Sequence, residues 1–262
     1  MNASDAPVLV ARDGAIATVT LNNPARLNAL TRAMWAGLGD AMRALSADDG
    51  LRCVVLRGAG NKAFAAGADI AEFATERADR AQARDYGNLI HATMQAVARC
   101  RHPVVALIEG ACVGGGLEVA ACCDFRVCGE SSRFGVPIAK LGLTMGYGEL
   151  QGLLALVGKA VATEILLESR VFDAQEALAK RLVNRVVPDD GVERAAYALA
   201  QRIADGAPLV ARWHKQYIAR LAVTPEVSAA EWEEGFACFD TADYREGVAA
   251  FLAKRKPAFQ AR

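Results

Sequence analysis

The chain carries no surplus of either charge: lysine plus arginine and aspartate plus glutamate number 30 each, and the sequence pI is near 6.8. That balance sets up no global field to attract nucleic acid or an anionic membrane. Histidine is scarce, with only His91, His102 and His214, which leaves few bases for triad chemistry. The seven cysteines are odd in number and contain no C-x-x-C pair, and several sit in apolar runs where cysteine acts as a small hydrophobe. A reducing compartment is the simplest reading. Met1 to Pro7 has neither the basic stretch nor the apolar core of a secretion signal. The longest apolar stretches are punctuated by charge well short of a membrane span. A cytoplasmic protein, with no nucleic-acid or membrane partner, is therefore expected. The phosphate-loop pattern, the G-x-G-x-x-G dinucleotide frame and any fixed-period repeat are also missing.

What is present is an ordinary globular composition, 53% hydrophobic and 23% charged, in 262 residues. That length suits one large domain or a domain with an appendage. Val8–Val10 and Ala15–Leu21 read as strands joined at Asp13-Gly14. Thr31 reads as the N-cap of a helix to about Leu45, and Cys53–Leu56 as a buried strand. Arg77–Cys100 has apolar residues at helical spacing. Val104–Ile108 and Phe125–Val127 are further strands around a buried helix, Leu117–Cys122. Helical patterns follow at Glu149–Val157 and Lys159–Glu168 around Gly158, and at Ala174–Arg181 behind Asp173. Val183–Val187 closes the series, and from Gly191 the chain reads as helical, with breaks at Pro208 and Pro225. Alternating strands and helices imply an α/β core over residues 1–190, and residues 191–262 form a helical appendage.

Two segments carry chemical promise. Lys62-Ala63-Phe64-Ala65-Ala66-Gly67-Ala68-Asp69-Ile70 follows a strand, uses small residues and runs into a helix start. Small side chains let a ligand lie on the backbone, where N–H groups near a helix start are unpaired. A tight connection without a ligand is the other reading. In Glu109 to Ala120, three consecutive glycines, Gly114-Gly115-Gly116, precede an apolar helix with Glu118 on its first turn. Such glycines cost backbone entropy, so a close approach is expected to justify them. A desolvated Glu118 would have a raised pKa and carry protons near neutrality, although a first-turn glutamate also suits the helix dipole. Taken together, two strand-ended loops with backbone donors and an adjacent buried glutamate make an oxyanion-hole constellation.

Ordered motifs extend this pattern: Asn23-Pro24-Ala25-Arg26-Leu27-Asn28-Ala29-Leu30, Ala66-Gly67-Ala68-Asp69-Ile70, Pro103-Val104-Val105-Ala106 with Gly110, and Gly114-Gly115-Gly116-Leu117-Glu118. Cys123-Asp124-Phe125-Arg126, Phe134-Gly135-Val136-Pro137, Arg245-Glu246-Gly247 and Ala250 to Pro257 complete the set. With them the chain resembles the enoyl-CoA hydratase/isomerase (crotonase) superfamily over essentially its whole length. The resemblance implies a spiral of ββα units with a C-terminal helical trimerisation region, as a homotrimer or dimer of trimers. It implies an acyl-CoA thioester substrate, with coenzyme A part of that substrate and no separate cofactor or metal. The oxyanion donors would be Ala68 and Gly115, and Glu118 a catalytic glutamate. Arg26, Leu27, Ala66, Asp69, Ile70 and Ala71 would line the CoA region, and Phe251 and Lys254 would contact it from the tail.

One departure bears on the reaction. Hydratases of this superfamily place a second glutamate immediately after the proline of the Phe-Gly-x-Pro segment, and here Ile138 stands there. Glu149, in the altered segment Gly146 to Gln151, is a candidate substitute acid or a helix cap. Hydration of a 2-enoyl-CoA is the leading expectation. Double-bond isomerisation with Glu118 as sole acid/base, or a non-catalytic acyl-CoA-binding subunit, are the alternatives. A serine hydrolase is disfavoured because Ser131-Ser132 lies outside a glycine elbow.

Overall fold

The apolar runs at Cys53–Leu56 and Val104–Ile108 form strands because both of their faces are covered. The computed structural model describes residues 6–262. Its strands are β1 (Val8–Asp13), β2 (Ile16–Leu21), β3 (Cys53–Gly58), β4 (Ala63–Ala65), β5 (Val104–Ile108), β6 (Ala111–Val113), β7 (Phe125–Gly129), β8 (Arg133–Gly135), β9 (Phe172–Asp173) and β10 (Arg185–Val187). Its helices are α1 (Arg32–Ala47), α2 (Phe73–Glu76), α3 (Arg80–Ala98), α4 (Gly115–Ala121), α5 (Tyr147–Glu168), α6 (Ala174–Ala179), α7 (Val192–Ala204), α8 (Pro208–Leu221), α9 (Ala229–Glu234) and α10 (Ala242–Leu252).

The strands form two sheets, ordered β1-β2-β3-β5-β7-β10 and β4-β6-β8-β9. Each of three successive units sends its first strand to the larger sheet and its second to the smaller one before a helix: β3 and β4, β5 and β6, β7 and β8. This repeated ββα turn is the expected spiral. The smaller sheet was not legible strand by strand. Its members are two or three residues long, too short to show alternation, so Ala63–Ala65 and Ala111–Val113 read only as parts of loops.

Side chains alternate across the central strands between two apolar layers. Val54, Leu56, Val104, Ala106 and Ile108 face the larger core with Trp35, Leu38 and Met94 from α1 and α3. Cys53, Val55, Val105, Leu107 and Val127 face α7 through Val192, Ala196, Leu199 and Ala200. The core therefore continues past the boundary expected at residue 190, because α7 supplies the layer that covers the sheet's second face.

The expected caps are in place. Thr31 accepts from the Met34 N–H at 3.2 Å and Asp173 from the Glu176 N–H at 2.9 Å. Helix α5 has the length and hydropathy to cross a membrane, contrary to the sequence expectation that no stretch comes near one. Gly158 (φ 73°, ψ 173°) divides it into 147–157 and 159–168. Neither half reaches the roughly 20 residues that a span needs.

Several of the recurring motifs are fasteners. Asn28 is buried, donates to the Ala63 carbonyl at 2.8 Å and the Ala59 carbonyl at 3.0 Å, and accepts from the Asn23 N–H at 3.0 Å. Asp124 accepts from the Val104 N–H and from Lys215 of α8, both at 2.7 Å. Arg126 is buried and donates to the carbonyls of Leu182 at 2.8 Å, Ala120 at 3.2 Å and Cys123. It thereby satisfies the carbonyl end of α4 and ties that helix to the loop before β10. Replacing Arg126 by Met leaves these carbonyls without donors and should lower stability by about 3 kcal/mol. Urea unfolding with an unchanged slope checks this, and a loss below about 1 kcal/mol would show that the guanidinium is dispensable.

Candidate active site

The two small-residue segments meet because both follow neighbouring parallel strands, β4 and β6, of the smaller sheet. Gly67 takes φ 107° and Gly114 φ 52° with ψ −123°, conformations open to glycine and strained for other residues. A Cβ on Gly114 would lie 3.5 Å from the Gly67 Cα, and one on Gly67 would lie 3.9 Å from the Gly115 nitrogen. Gly116 is glycine for a different reason: a Cβ there would lie 2.3 Å from the Ala65 carbonyl oxygen. The expected close approach is thus of backbone to backbone.

The loop bearing Ala68 is pinned on its other side. Leu30 donates its N–H to the Gly67 carbonyl at 2.7 Å, and the Asp69 N–H donates to the Leu30 carbonyl at 3.0 Å. This bridge leaves the Ala68 N–H unused. Gly115 is the first residue of α4, so its N–H has no intrahelical acceptor. Neither N–H has a protein partner among the described residues. Two unpaired donors on facing, strand-anchored loops have the composition of an oxyanion hole.

Both donors line a cleft of about 180 Å³ that also contains Ala66, Ile70, Glu118, Ile138 and Glu149. Asp69 is buried at its edge, where it pairs with Arg26 at 2.6 Å and accepts from the Ala71 N–H at 3.1 Å. Leu27 (φ 52°) accepts from the Ala66 N–H at 3.0 Å. Ala66, Ala68, Ile70, Gly115 and Glu118 line the cleft, whereas Arg26, Leu27, Asp69 and Ala71 are outside its lining and are linked to it through these bonds. The tail residues are not brought to it. Phe251 is 83% exposed and lines a separate surface groove, and Lys254 (φ 53°) is exposed beyond the end of α10.

Glu118 is buried on α4 and makes no hydrogen bond through its carboxyl among the described residues. Its pKa is pushed up to about 8, first by burial and then by the charge of Glu149, with Arg77 opposing. Glu149 answers both readings of its position. Its Oε2 accepts from the Gly146 N–H at 2.6 Å, a helix cap, and it lines the same cleft as Glu118. Ile138 is half-buried in that cleft and brings no ionisable group. Sequence reasoning missed Trp35, Phe73, Arg77, Ile90, Leu141 and Leu143, all of which line the cleft.

A ββα spiral whose paired loops offer two backbone donors beside a buried carboxyl defines the crotonase class of fold and site. Residues 11–262 match the sequence profile of the enoyl-CoA hydratase/isomerase family. The chain is 34% identical to a short-chain-enoyl-CoA hydratase of Clostridium acetobutylicum, covering 95% of each chain. It is 33% identical to a crotonyl-CoA hydratase of Syntrophomonas wolfei, over 96% of this chain and 97% of that one. A crystal structure of an enoyl-CoA hydratase/carnithine racemase from Magnetospirillum magneticum superposes with a TM-score of 0.96 at 54% identity, over 98% and 96% of the two chains. The chain belongs to the enoyl-CoA hydratase/isomerase family.

The buried carboxyl has a consequence for stability. Glu118 has a folded pKa above its ordinary value, so the native state binds more protons than the unfolded chain between pH 4.5 and about 8. Its contribution is full below that window and is lost as pH rises through it. Glu118→Gln should therefore be more stable than wild type at pH 8, and the gap should close toward pH 5. Melting temperatures across this range check it, and a pH-independent gap would place the glutamate in a solvated setting.

Proposed function

We propose that the protein is an enoyl-CoA hydratase that adds water to a 2-enoyl-CoA. The thioester oxygen sits between the N–H groups of Ala68 and Gly115. Water adds to C3, a proton is delivered to C2, and the negative charge that develops on the thioester oxygen is met by the two donors. Each such preorganised donor contributes about 3 kcal/mol to the barrier reduction in comparable sites. The observation that carries the reading is Glu118, a buried carboxyl with a pKa near 8 in the cleft that holds both donors. The names of the relatives as hydratases support the same substrate class.

Hydration needs one group to take a proton from water and another to give one to carbon. Burial and, after it, the charge of Glu149 raise the Glu118 pKa, so Glu118 can hold the proton that carbon receives. Glu118 then acts as acid and Glu149 as base, and the addition of water leaves the pair with one proton again. Glu149 takes the place that Ile138 leaves empty, from the first turn of α5 instead of the segment after β8. A homotrimer or a dimer of trimers completes the proposal, through exposed apolar residues of the C-terminal helices such as Trp232, Phe236 and Leu252.

Glutamine separates the two roles of Glu149, because its amide oxygen still accepts from the Gly146 N–H but cannot exchange a proton. Glu118→Gln and Glu149→Gln should each lower kcat for crotonyl-CoA hydration by about 10² to 10⁴ and leave CoA-ester binding within a few-fold of wild type. Full activity in Glu149→Gln would reduce that residue to a cap. A panel of enoyl-CoAs followed for both water addition and double-bond migration separates the remaining outcomes. Migration without hydration would make the enzyme an isomerase with Glu118 alone, and Ile138→Glu should then introduce hydration.

A further inference from the structure

One cation lines the cleft, and it has no counter-ion in contact. Arg77 follows α2, and its guanidinium lies 4.0 Å from the centroid of the Tyr86 ring and 4.7 Å from that of Phe73. Among the described residues it forms no ion pair, although two acids, Glu72 and Glu76, lie close in sequence. Both are taken by another residue: Glu72 accepts from the Arg32 N–H at 2.7 Å, and Glu76 pairs with the Arg32 guanidinium at 3.4 Å. Arg77 is half-buried, and a guanidinium withdrawn from water without an anion is unfavourable unless a ligand supplies one.

The neighbouring groups are donors as well. Tyr86 Oη, on the ring beneath Arg77, and Trp35 Nε1, on a ring that lines the cleft, are both buried, and the Arg77 and Trp35 side chains both approach the Tyr86 hydroxyl. One corner of the cleft thus gathers three donor side chains, Arg77, Trp35 and Tyr86, around a single hydroxyl oxygen. Apart from Thr144 and the two glutamates, the other side chains of the cleft are apolar, among them Ile70, Phe73, Ile90, Ile138, Leu141 and Leu143. A wall built for a plain alkyl chain needs no guanidinium. Arg77 lowers the Glu118 pKa across space, but no ion pair joins it to Glu118 or Glu149 among the described residues.

We infer that the preferred substrate is an acyl-CoA whose acyl chain ends in a carboxylate, held by the Arg77 guanidinium. The two rings hold that guanidinium in place, which favours a planar, two-pronged contact with the carboxylate. Here Arg77 is a specificity residue and carries no proton in the reaction. The inference rests on the acyl-CoA reading of the site and narrows its substrate class.

Saturated esters, which cannot be hydrated, separate recognition from turnover. Titration calorimetry of the full chain with glutaryl-CoA and adipyl-CoA against pentanoyl-CoA and hexanoyl-CoA should show the dicarboxylic esters binding at least tenfold more tightly. Arg77→Met should abolish that ratio while leaving pentanoyl-CoA affinity within about threefold, and Arg77→Lys should retain part of it. Equal or tighter binding of the methyl-ended esters by wild type would overturn the inference and leave the acyl-CoA reading standing. So would an unchanged ratio in Arg77→Met accompanied by a shift in the pH profile of hydration, which would make Arg77 a counter-charge for the glutamates. Failure of wild type to bind any of the four esters would overturn both.

Discussion

The turns at Gly67 (φ 107°) and Gly114 (φ 52°) hold a backbone conformation that side chains rarely adopt, and in it the two loops lie within van der Waals distance of each other. Everything at the site depends on that approach. It brings Ala68 and Gly115 to facing walls, and it does so with main chain, whose position is fixed by two sheets and a helix start. Groups held in this way need no reorganisation when charge develops in front of them. The bridge between Leu30 and Ala68 and the fasteners at Asn28 and Arg126 hold the two loops from behind. The recurring motifs of the sequence are therefore mostly supports.

Burial has two effects in this arrangement. Packing α4 against the sheets makes Gly115 the fixed start of a helix, and it also takes Glu118 out of water. The second effect destabilises the ionised carboxyl and raises its pKa into the range where proton transfer is useful. Glu149 strengthens the effect from another element, although nothing in the spacing between residues 118 and 149 requires the two to meet. Arg77 adds an opposing charge from a third element.

Legibility followed element length and chemistry. The long helices, the caps at Thr31 and Asp173 and the doubly buried strands were readable from periodicity, cap residues and unbroken apolar runs. The smaller sheet was not, because its strands are too short to display a period. Residues 66–70 and 114–118 stood out as glycine and alanine runs at strand ends, and the structure brings the two segments to one cleft. Trp35 and Arg77 did not stand out, since an aromatic on an amphipathic helix and an arginine at the start of a polar helical pattern each have ordinary explanations. Phe251 and Lys254 were named by resemblance, and one chain alone leaves both outside the cleft.

By itself the sequence determined the α/β alternation, the two glycine-bearing turns, the carboxyl at Glu118 and the missing carboxyl at Ile138. These are local properties, set by which residues can occupy a turn, a cap or a helix face. Tertiary structure alone decided that Glu149 shares a cleft with Glu118, that Arg77 stands there without an anion in contact, and that α7 belongs to the core. Such facts depend on contacts between residues tens of positions apart, which follow from the winding of the two sheets and leave no local pattern.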